Sequence, residues 1–185
     1  MPSHKTAPKR LSVPALRQRA RRLRLVLTDS DGVLTDTGVF YSADGEYMKR
    51  FSIRDGMGVE RLRAEGVETA IMTGELSASV RKRAEKLSMQ FLYLGVKDKK
   101  KHLDAVLQET GFSLDQLGYI GDDLNDLSVM QAIRPYGITA APADAVPDIV
   151  HVAHYHCKAN GGQGAFREFA EWILSLRSNS ISSAT

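Results

Sequence analysis

The chain has 185 residues, 43% of them apolar, a length that suits one domain with a substantial core. Its single cysteine excludes an intramolecular disulfide, and no apolar run approaches the ~18 residues of a membrane span. The formal net charge of +3 arises from residues 1–28, which hold eight basic residues and no acidic one, whereas the rest carries 17 basic and 22 acidic residues. We therefore expect a cytoplasmic protein with no membrane partner.

The N-terminal segment, residues 1–22, is interpreted as a flexible basic tail that ends in a short helix at about residues 13–22. A nucleic-acid-binding arm or an organelle presequence is the alternative interpretation of so basic a segment. We expect no nucleic-acid partner, because the basic charge is confined to this segment. Residues 23–177 are predicted to form the domain, and the Ser-rich residues 178–185 a second flexible tail.

From Leu23 onward, short apolar runs alternate with helical patterns. Strands are predicted at LRLVLT, VETAIMT, FLYLG, LGYIG, YGITA and IVHVA. Helices are predicted to begin near Asp55, Leu76, Asp98, Leu124 and Gly164, and residues 38–51 form a predicted β-hairpin with its turn at Asp44-Gly45. This alternation predicts an α/β fold with a doubly wound, mostly parallel sheet, in which ligands bind at the carboxyl ends of the strands.

Polar residues follow several of these strands where a ligand site is expected. Asp29 and Asp31 follow the first strand, Thr73 the second, and Asp122 the fourth, while Lys99 begins a helix. Residues i and i+2 of an extended segment point the same way, so Asp29 and Asp31 can face one site. One carboxylate can act as a nucleophile while the other transfers protons, and clustered carboxylates favour an oxygen-ligated cation such as Mg²⁺.

These residues carry a family resemblance. In this order, DSDGV (29–33), TG (73–74), Lys99 and GDDLND (121–126) resemble the four motifs of the haloacid-dehalogenase (HAD) superfamily phosphatases, over nearly all of Leu23–Leu176. The resemblance implies a Rossmann-like HAD core. One departure is Ser30, where the family usually has an apolar residue; we expect its side chain to point away from the phosphate.

The resemblance also implies roles for the motif residues. Asp29 would be the nucleophile that forms an aspartyl-phosphate, and Asp31 the general acid that later activates water as a base. Mg²⁺ would be held by the Asp29 and Asp122 carboxylates and the Asp31 backbone carbonyl. Thr73 would donate a hydrogen bond to the phosphoryl group, Lys99 would neutralise charge, and Asp126 would orient Lys99 or a metal-bound water.

The spacing of the motifs leaves no room for a cap domain, only for a hairpin flap. Capless HAD proteins with DGVLTD, a hairpin, Arg54-Asp55-Gly56 and GDDLND resemble the 3-deoxy-D-manno-octulosonate 8-phosphate (KDO 8-phosphate) phosphatases. That resemblance implies lipopolysaccharide biosynthesis and a homotetramer associating through its hairpins. It also implies that the segment GGQGAFRE (161–168) approaches the site of an adjacent subunit.

Four residues are predicted to bind the substrate: Arg54, Gly74, Glu75 and Lys86. Where the family usually has TGR, this chain has Thr73-Gly74-Glu75. Glu75 with Lys86, about three helical turns further on, resembles the branch that acts on 2-keto-3-deoxy-nononate (KDN) 9-phosphate. We favour KDO 8-phosphate and keep KDN 9-phosphate as the alternative.

Other classes of function agree less well with the motifs. A signalling receiver domain places its acidic pair after the first strand and its phosphoacceptor after a later one, the reverse of the order here. A non-catalytic oligomerisation module related to HAD phosphatases would not need every catalytic position intact. The segment HVAHYHC (151–157) lacks a second ligand cluster, which argues against a soft-metal site there.

Overall fold

The computed structural model describes residues 11–178. Its six-stranded sheet has the order β5-β4-β1-β6-β7-β8, and every neighbouring pair in it is parallel. The sheet strands are β1 (Leu25–Thr28), β4 (Glu68–Met72), β5 (Phe91–Tyr93), β6 (Leu117–Ile120), β7 (Ile138–Ala141) and β8 (Tyr155–His156). The predicted α/β class and parallel sheet are confirmed.

Seven α-helices surround the sheet within the described residues. They are α1 (Val13–Arg22), α2 (Ile53–Ala64), α3 (Ala78–Lys86), α4 (Lys99–Thr110), α5 (Leu124–Ile133), α6 (Pro147–Val152) and α7 (Ala165–Arg177). In that part of the chain no helix has both the length and the apolar character needed to cross a membrane.

The side chains of β1 point alternately to the two faces of the sheet, so the core has two parts. Val26 packs in a cluster with residues of α2, α3 and α7, whereas Leu25 and Leu27 pack with residues of α4, α5 and α6 on the other face. All four residues of β1 are buried, as expected for a central strand of a parallel sheet covered on both sides. The sheet is therefore doubly wound, as predicted.

Strand β1 lies between β4 and β6. The chain first adds β4 and β5 on one side of β1 and then adds β6, β7 and β8 on the other side. A crevice opens at the carboxyl ends of the strands where the winding direction changes, which is where such sheets bind ligands. Asp29 follows β1 at this point, and its amide continues the ladder by donating to the Ile120 carbonyl at 3.0 Å. The fold thus places the first motif at the centre of the crevice.

The predicted hairpin is present as β2 (Val39–Ser42) paired antiparallel with β3 (Gly45–Lys49). Between Asp31 and Thr73 the chain forms this hairpin, α2 and β4, with no inserted cap domain. The hairpin presents an exposed apolar surface formed by Phe40, Tyr41, Tyr47 and Met48, of which Tyr41 is 74% and Tyr47 70% exposed. We call these four residues the hairpin patch.

The prediction of a strand at IVHVA is wrong, because residues 149–152 belong to helix α6 and the last strand is Tyr155–His156. Pro147 occupies the first turn of α6, a position that suits proline because its missing N–H is not needed there. A short apolar run cannot be assigned to a strand or a helix by its periodicity alone. The proline was the signal that could have decided the assignment.

Helix α1 lies where the sequence indicated a short helix, and it packs on the domain. Ala20 is fully buried, and the Arg19 guanidinium donates to the carbonyls of Arg134, Pro135 and Gly137 at 2.6–2.8 Å. Residues 1–10 and 179–185, to which the predictions of flexible tails apply, lie outside the described residues. The predicted domain limits, including the division between residues 22 and 23, stay a prediction.

Candidate active site

The crevice contains a cavity of about 360 Å³. It is lined by the motif residues Asp29, Asp31, Thr73, Gly74 and Asp122, and also by Thr37, Glu75, Asp123, Leu124 and Asn125. The structure therefore brings together residues that follow β1, β4 and β6, as the sequence predicted. Ser30 is fully buried and is not among the lining residues, in agreement with the expectation for this position.

Asp29 is buried, with 4% of its surface exposed, and is held by two donors. The Ser30 amide donates to its Oδ1 at 2.7 Å, and Lys99 Nζ lies 2.9 Å from its Oδ2. Burial and the neighbouring Asp126 raise the pKa of Asp29 to about 7, against the opposing effect of Lys99. A carboxylate fixed in this way presents a defined oxygen to a ligand in the cavity.

Lys99 joins two of the motifs. Its ammonium group contacts Asp126 Oδ1 at 2.6 Å as well as Asp29, and its side chain is 1% exposed. Burial alone would lower the pKa of Lys99, but the charges of Asp29 and Asp126 outweigh it and raise the pKa. The lysine therefore stays charged in the site and partly neutralises the two carboxylates.

Asp126 uses both carboxylate oxygens within the protein. Its Oδ1 also accepts from the Tyr119 hydroxyl at 2.7 Å, and its Oδ2 accepts from the Asp122 amide at 3.0 Å. The expected contact between Asp126 and Lys99 is present, so Asp126 can orient the lysine. Tyr119 was not identified from the sequence; a polar aromatic residue within the fully buried strand β6 was the signal that could have indicated it.

The carboxylates fit a divalent cation. One oxygen from each of Asp29, Asp122 and Asp126 lies within 4.8 Å of the others. Asp122 Oδ1 is buried and has no hydrogen-bond partner among residues 11–178, and burial together with Asp29 raises the pKa of Asp122 to about 8. A cation would satisfy this oxygen and favour the charged form of the carboxyls. Since Asp126 is engaged elsewhere, Asp29 and Asp122 are the freer pair of ligands.

Gly32 allows Asp122 to approach the loop that follows β1. A Cβ atom at position 32 would lie 1.8 Å from Asp122 Oδ2, and the φ of Gly32 is +86°, a conformation that favours glycine. The Asp122 carboxylate therefore lies against the backbone next to Asp31. This arrangement agrees with the expected ligand set of two carboxylates and the Asp31 carbonyl.

The Asp31 carboxylate is held from the side of the hairpin. Lys49 Nζ, on β3, lies 2.6 Å from Asp31 Oδ2, and the Thr35 hydroxyl donates to Oδ1 at 3.1 Å. Sequence reasoning missed Lys49, because a lysine in an otherwise exposed hairpin gives no sign that it will be buried. Its contact with Asp31 depends on how the hairpin folds over the site.

The predicted substrate-binding residues are distributed unevenly. Gly74 and Glu75 line the cavity, but the ion pair of Glu75 is with Lys97 at 3.4 Å. The pairing of Glu75 with Lys86 assumed one continuous helix; α3 begins only at Ala78, and Lys86 is its last residue. Lys86 therefore lies at the opposite end of α3 from the N-cap, Ser77. The prediction that Glu75 and Lys86 act together on the substrate stays a prediction.

Arg54 is exposed in the first turn of α2 and does not line the cavity that holds Asp29. It lines a separate cavity of about 590 Å³, with Arg50, Phe51, Ser52, Ile53, Gly162 and Gln163. Within one subunit Arg54 is therefore not brought to the motif residues.

No protein-family model matches the chain, whereas individual curated proteins and solved structures do. The KDO 8-phosphate phosphatase of Yersinia pestis is 37% identical over 168 residues, which cover 91% of this chain and 88% of that protein. The Moraxella catarrhalis KDO 8-phosphate phosphatase, solved with a magnesium ion, a phosphate ion and KDO, aligns with a TM-score of 0.81 and 34% identity over 90% of this chain and 94% of that one. A Legionella pneumophila protein described as a putative HAD superfamily (subfamily III A) hydrolase aligns with a TM-score of 0.82 and 33% identity, over 89% and 88% of the two chains.

Proposed function

The chain belongs to the KDO 8-phosphate phosphatase family of the HAD superfamily and is thus a phosphoric monoester hydrolase, and from this membership we propose that it hydrolyses KDO 8-phosphate in the presence of Mg²⁺ through an aspartyl-phosphate. The observation that carries the proposal is the group at the end of β1. There the buried Asp29 contacts Lys99 and lies beside Asp122, one oxygen of which has no hydrogen-bond partner among the described residues.

The proposed reaction has two displacements at phosphorus. An oxygen of Asp29 attacks the phosphorus, the bond to the sugar oxygen breaks, and Asp31 gives that oxygen its proton. Water then attacks the phosphorus of the aspartyl-phosphate, loses a proton to Asp31, and the Asp29 carboxylate leaves with its electron pair. Inorganic phosphate and the free sugar acid are the products, and both aspartates return to their first state.

The remaining motif residues position groups and neutralise charge, which is what phosphoryl transfer chiefly requires. Thr73 is assigned as a donor to the phosphoryl oxygens, and Lys99 as the cation that neutralises them and Asp29. Asp126 holds Lys99 in place. Mg²⁺, held by Asp29, Asp122 and the Asp31 carbonyl, supplies Lewis-acid stabilisation of the phosphoryl charge when it is bound.

The eight-carbon sugar acid is favoured as the substrate because these relatives are named as phosphatases of KDO 8-phosphate. Gly74 and Glu75, at the cavity, are the positions in this chain that would contact the sugar. Glu75 is also the observation that supports the nine-carbon alternative, KDN 9-phosphate, since it replaces the arginine usual in the family. Lys86, the last residue of α3, would be the partner of Glu75 in that alternative.

The substrate assignment is tested by phosphate release with Mg²⁺ from KDO 8-phosphate and from KDN 9-phosphate, each assayed with the wild type and with Glu75→Arg. We expect a higher kcat/KM for KDO 8-phosphate, and we expect Glu75→Arg to keep that preference. A preference for the nine-carbon ester that Glu75→Arg reverses would instead assign the alternative substrate. Turnover of neither ester would contradict the sugar-acid class.

A homotetramer that associates through the hairpin patch is part of the proposal. Four large apolar side chains are exposed on this short hairpin, and exposed apolar surface of this kind favours association with another chain. Arg54, which does not line its own subunit's cavity, would in such an assembly be available to a neighbouring one. A cytoplasmic enzyme of lipopolysaccharide biosynthesis stays the expectation from the sequence.

A further inference from the structure

We propose that Lys49, the last residue of β3, is a positioning residue that holds the Asp31 carboxylate in the orientation needed for proton transfer. The inference rests on the proposed function, in which Asp31 is the acid and base. It adds a residue that lies outside all four motifs, on the hairpin. It also assigns the hairpin a part in the chemistry besides association.

Two contacts define the orientation of the Asp31 carboxylate. Lys49 Nζ lies 2.6 Å from Asp31 Oδ2, and on the other side the Thr35 hydroxyl donates to Asp31 Oδ1 at 3.1 Å. Both carboxylate oxygens therefore have a neighbour that restricts rotation of the side chain. The Thr35 hydroxyl can also donate to the Ser30 carbonyl at 3.4 Å, which leaves Asp31 Oδ1 able to carry the proton that it transfers. The Asp31 side chain is still 24% exposed, so it remains accessible from the cavity that it lines.

The burial of Lys49 sets this contact apart from a surface ion pair. Its side chain is 1% exposed, although the patch residues on the same hairpin are largely exposed. Lysine is almost never fully buried unless its charge is paired. An exposed pair fixes little, because solvent screens it and both side chains are free to move, whereas a buried ammonium between two carboxylates has few alternative positions.

A second contact fixes the lysine itself. Glu46, three residues earlier on β3, places its Oε2 3.6 Å from Lys49 Nζ, and its Oε1 accepts from the Ser77 hydroxyl at 2.5 Å. Ser77 is the N-cap of α3, in the segment that follows Thr73. The series Ser77–Glu46–Lys49–Asp31 thus connects the hairpin with the loops after β4 and β1. Displacement of the hairpin would therefore move Asp31 relative to Asp29.

The experiment compares kcat/KM for two esters, because this quantity includes loss of the leaving group but not later hydrolysis of the phosphoenzyme. An alkoxide leaving group, as in KDO 8-phosphate, needs a proton from Asp31, whereas p-nitrophenolate leaves without one. We expect Lys49→Met to lower kcat/KM for KDO 8-phosphate by about 10- to 100-fold, and for p-nitrophenyl phosphate by less than about threefold. Lys49→Arg, which keeps the charge, should recover part of the loss.

Arg50→Met is the matched control. Arg50 is the next residue along the chain and also pairs with the loop after β1, at Asp36, but its side chain is 55% exposed and it does not contact Asp31. We expect this variant to keep wild-type kcat/KM for both esters. A protein that merely folds poorly would lose activity on both esters equally, and this result for Lys49→Met would overturn the inference.

The Asp31→Asn background separates this inference from the function on which it rests. If Lys49 acts through Asp31, Lys49→Met should change kcat/KM by less than about threefold in that background, since effects that share one group are not additive. The same loss with and without Asp31 would overturn the role of Lys49 and leave the phosphatase assignment intact. An Asp31→Asn enzyme as active as the wild type would overturn the roles of Asp31 and of Lys49 together.

Discussion

Three carboxylates and one buried lysine lie together at the candidate site. Asp29 and Asp126 contact Lys99 directly, whereas Asp122 has no cationic partner among the described contacts. Burial and the neighbouring negative charges raise the pKa of Asp29 and Asp122, so these residues bind protons or a metal ion in preference to remaining as isolated charges. At this scale the site favours a divalent cation, whose charge would also favour the approach of a phosphate ester.

Tyr119→Phe tests the internal support of this charge cluster. The change removes a buried donor to Asp126 while Lys99 keeps its contact with the same oxygen, and we expect a loss of about 1–2 kcal/mol in the free energy of unfolding. We also expect kcat to fall by a few-fold, about what a small shift of Lys99 costs. Chemical denaturation and steady-state kinetics measure the two effects.

Tyr93→Phe is the control for Tyr119→Phe. The Tyr93 hydroxyl also donates to a carboxylate, that of Glu109 at 3.0 Å, which is not a motif residue. The backbone of Tyr93 accepts from the Thr73 amide, a contact that the side-chain change leaves in place. We expect kcat of this variant to equal that of the wild type. Equal effects of the two substitutions on kcat would contradict a supporting role of Tyr119 in the site.

Among the elements, the glycine-rich segment 161–164 supports the loop that carries the first motif. Gly162 donates to the Val33 carbonyl at 2.9 Å, and a Cβ atom at Gly161 would lie 2.0 Å from the Gly32 carbonyl oxygen. Asp55 fixes the other end of the segment by accepting from the amides of Gly164 and Arg167. The segment thus packs on its own subunit's loop. Its predicted approach to an adjacent subunit stays a prediction.

Gly161→Ala should displace the loop after β1. The added methyl group meets backbone atoms that cannot move alone, so we expect at least a tenfold loss of kcat/KM and a destabilisation of about 1–3 kcal/mol. Gly111→Ala is the matched control, because a Cβ there meets nothing within 4 Å and the cost comes only from its φ of +70°. The control should lose stability but keep kcat/KM; wild-type activity in Gly161→Ala would contradict the supporting role.

The elements that can be predicted from the sequence are those formed by interactions between residues close together in the chain. Short-range patterns predicted β1, β4, β6 and α5 and placed Asp29, Thr73 and Asp122 at one edge of the sheet. Local signals failed at IVHVA, where a short apolar run allowed two structures. The contacts of Lys49 and Tyr119 join residues from different elements, so no local pattern could show them.

At the scale of the whole molecule, the carboxylate site and the hairpin patch lie at the same edge of the sheet. The carboxylates lie at the carboxyl edge of the sheet, and the hairpin patch projects from the same edge because β2 and β3 follow the first motif directly. A subunit that buries the patch would also cover the neighbourhood of the cavity. Association and enclosure of the site are therefore expected to occur together.

The proposed tetramer is tested by Tyr41→Asp combined with Tyr47→Asp. Two charges in the patch would have to be desolvated on association, so we expect a smaller species in sedimentation and a lower affinity for the substrate. Val13→Asp is a control with a similarly exposed apolar side chain, 57% exposed, on α1. A wild-type protein that sediments as a monomer would contradict the association.

Binding of Mg²⁺ should stabilise the protein more at pH 8 than at pH 5. The pKa of Asp122 is about 8 in the folded state and 3.8 as its ordinary value, so the metal-free folded protein binds more protons than the unfolded chain between these values. Its stability is therefore greatest below the ordinary pKa and falls as the pH rises towards 8. A divalent cation replaces those protons, so its stabilising effect grows over the same interval.

Thermal unfolding with and without Mg²⁺, at equal ionic strength, measures this effect. The increase in Tm on adding Mg²⁺ should be larger at pH 8, and Asp122→Asn should remove most of the difference between the two pH values. An increase in Tm that does not depend on pH would contradict the assignment of Asp122 as a metal ligand.

The most direct test of the central claim is to trap the phosphoenzyme. The wild-type protein with Mg²⁺ and KDO 8-phosphate is quenched in acid within a single turnover, reduced with borohydride, and its peptides are examined by mass spectrometry. We predict that Asp29 alone is converted to homoserine, as reduction of an aspartyl-phosphate requires, and that Asp29→Asn shows neither this product nor phosphate release. Full phosphate release with Asp29 unmodified at every quench time, or a phosphoryl group on Ser30, would contradict the account.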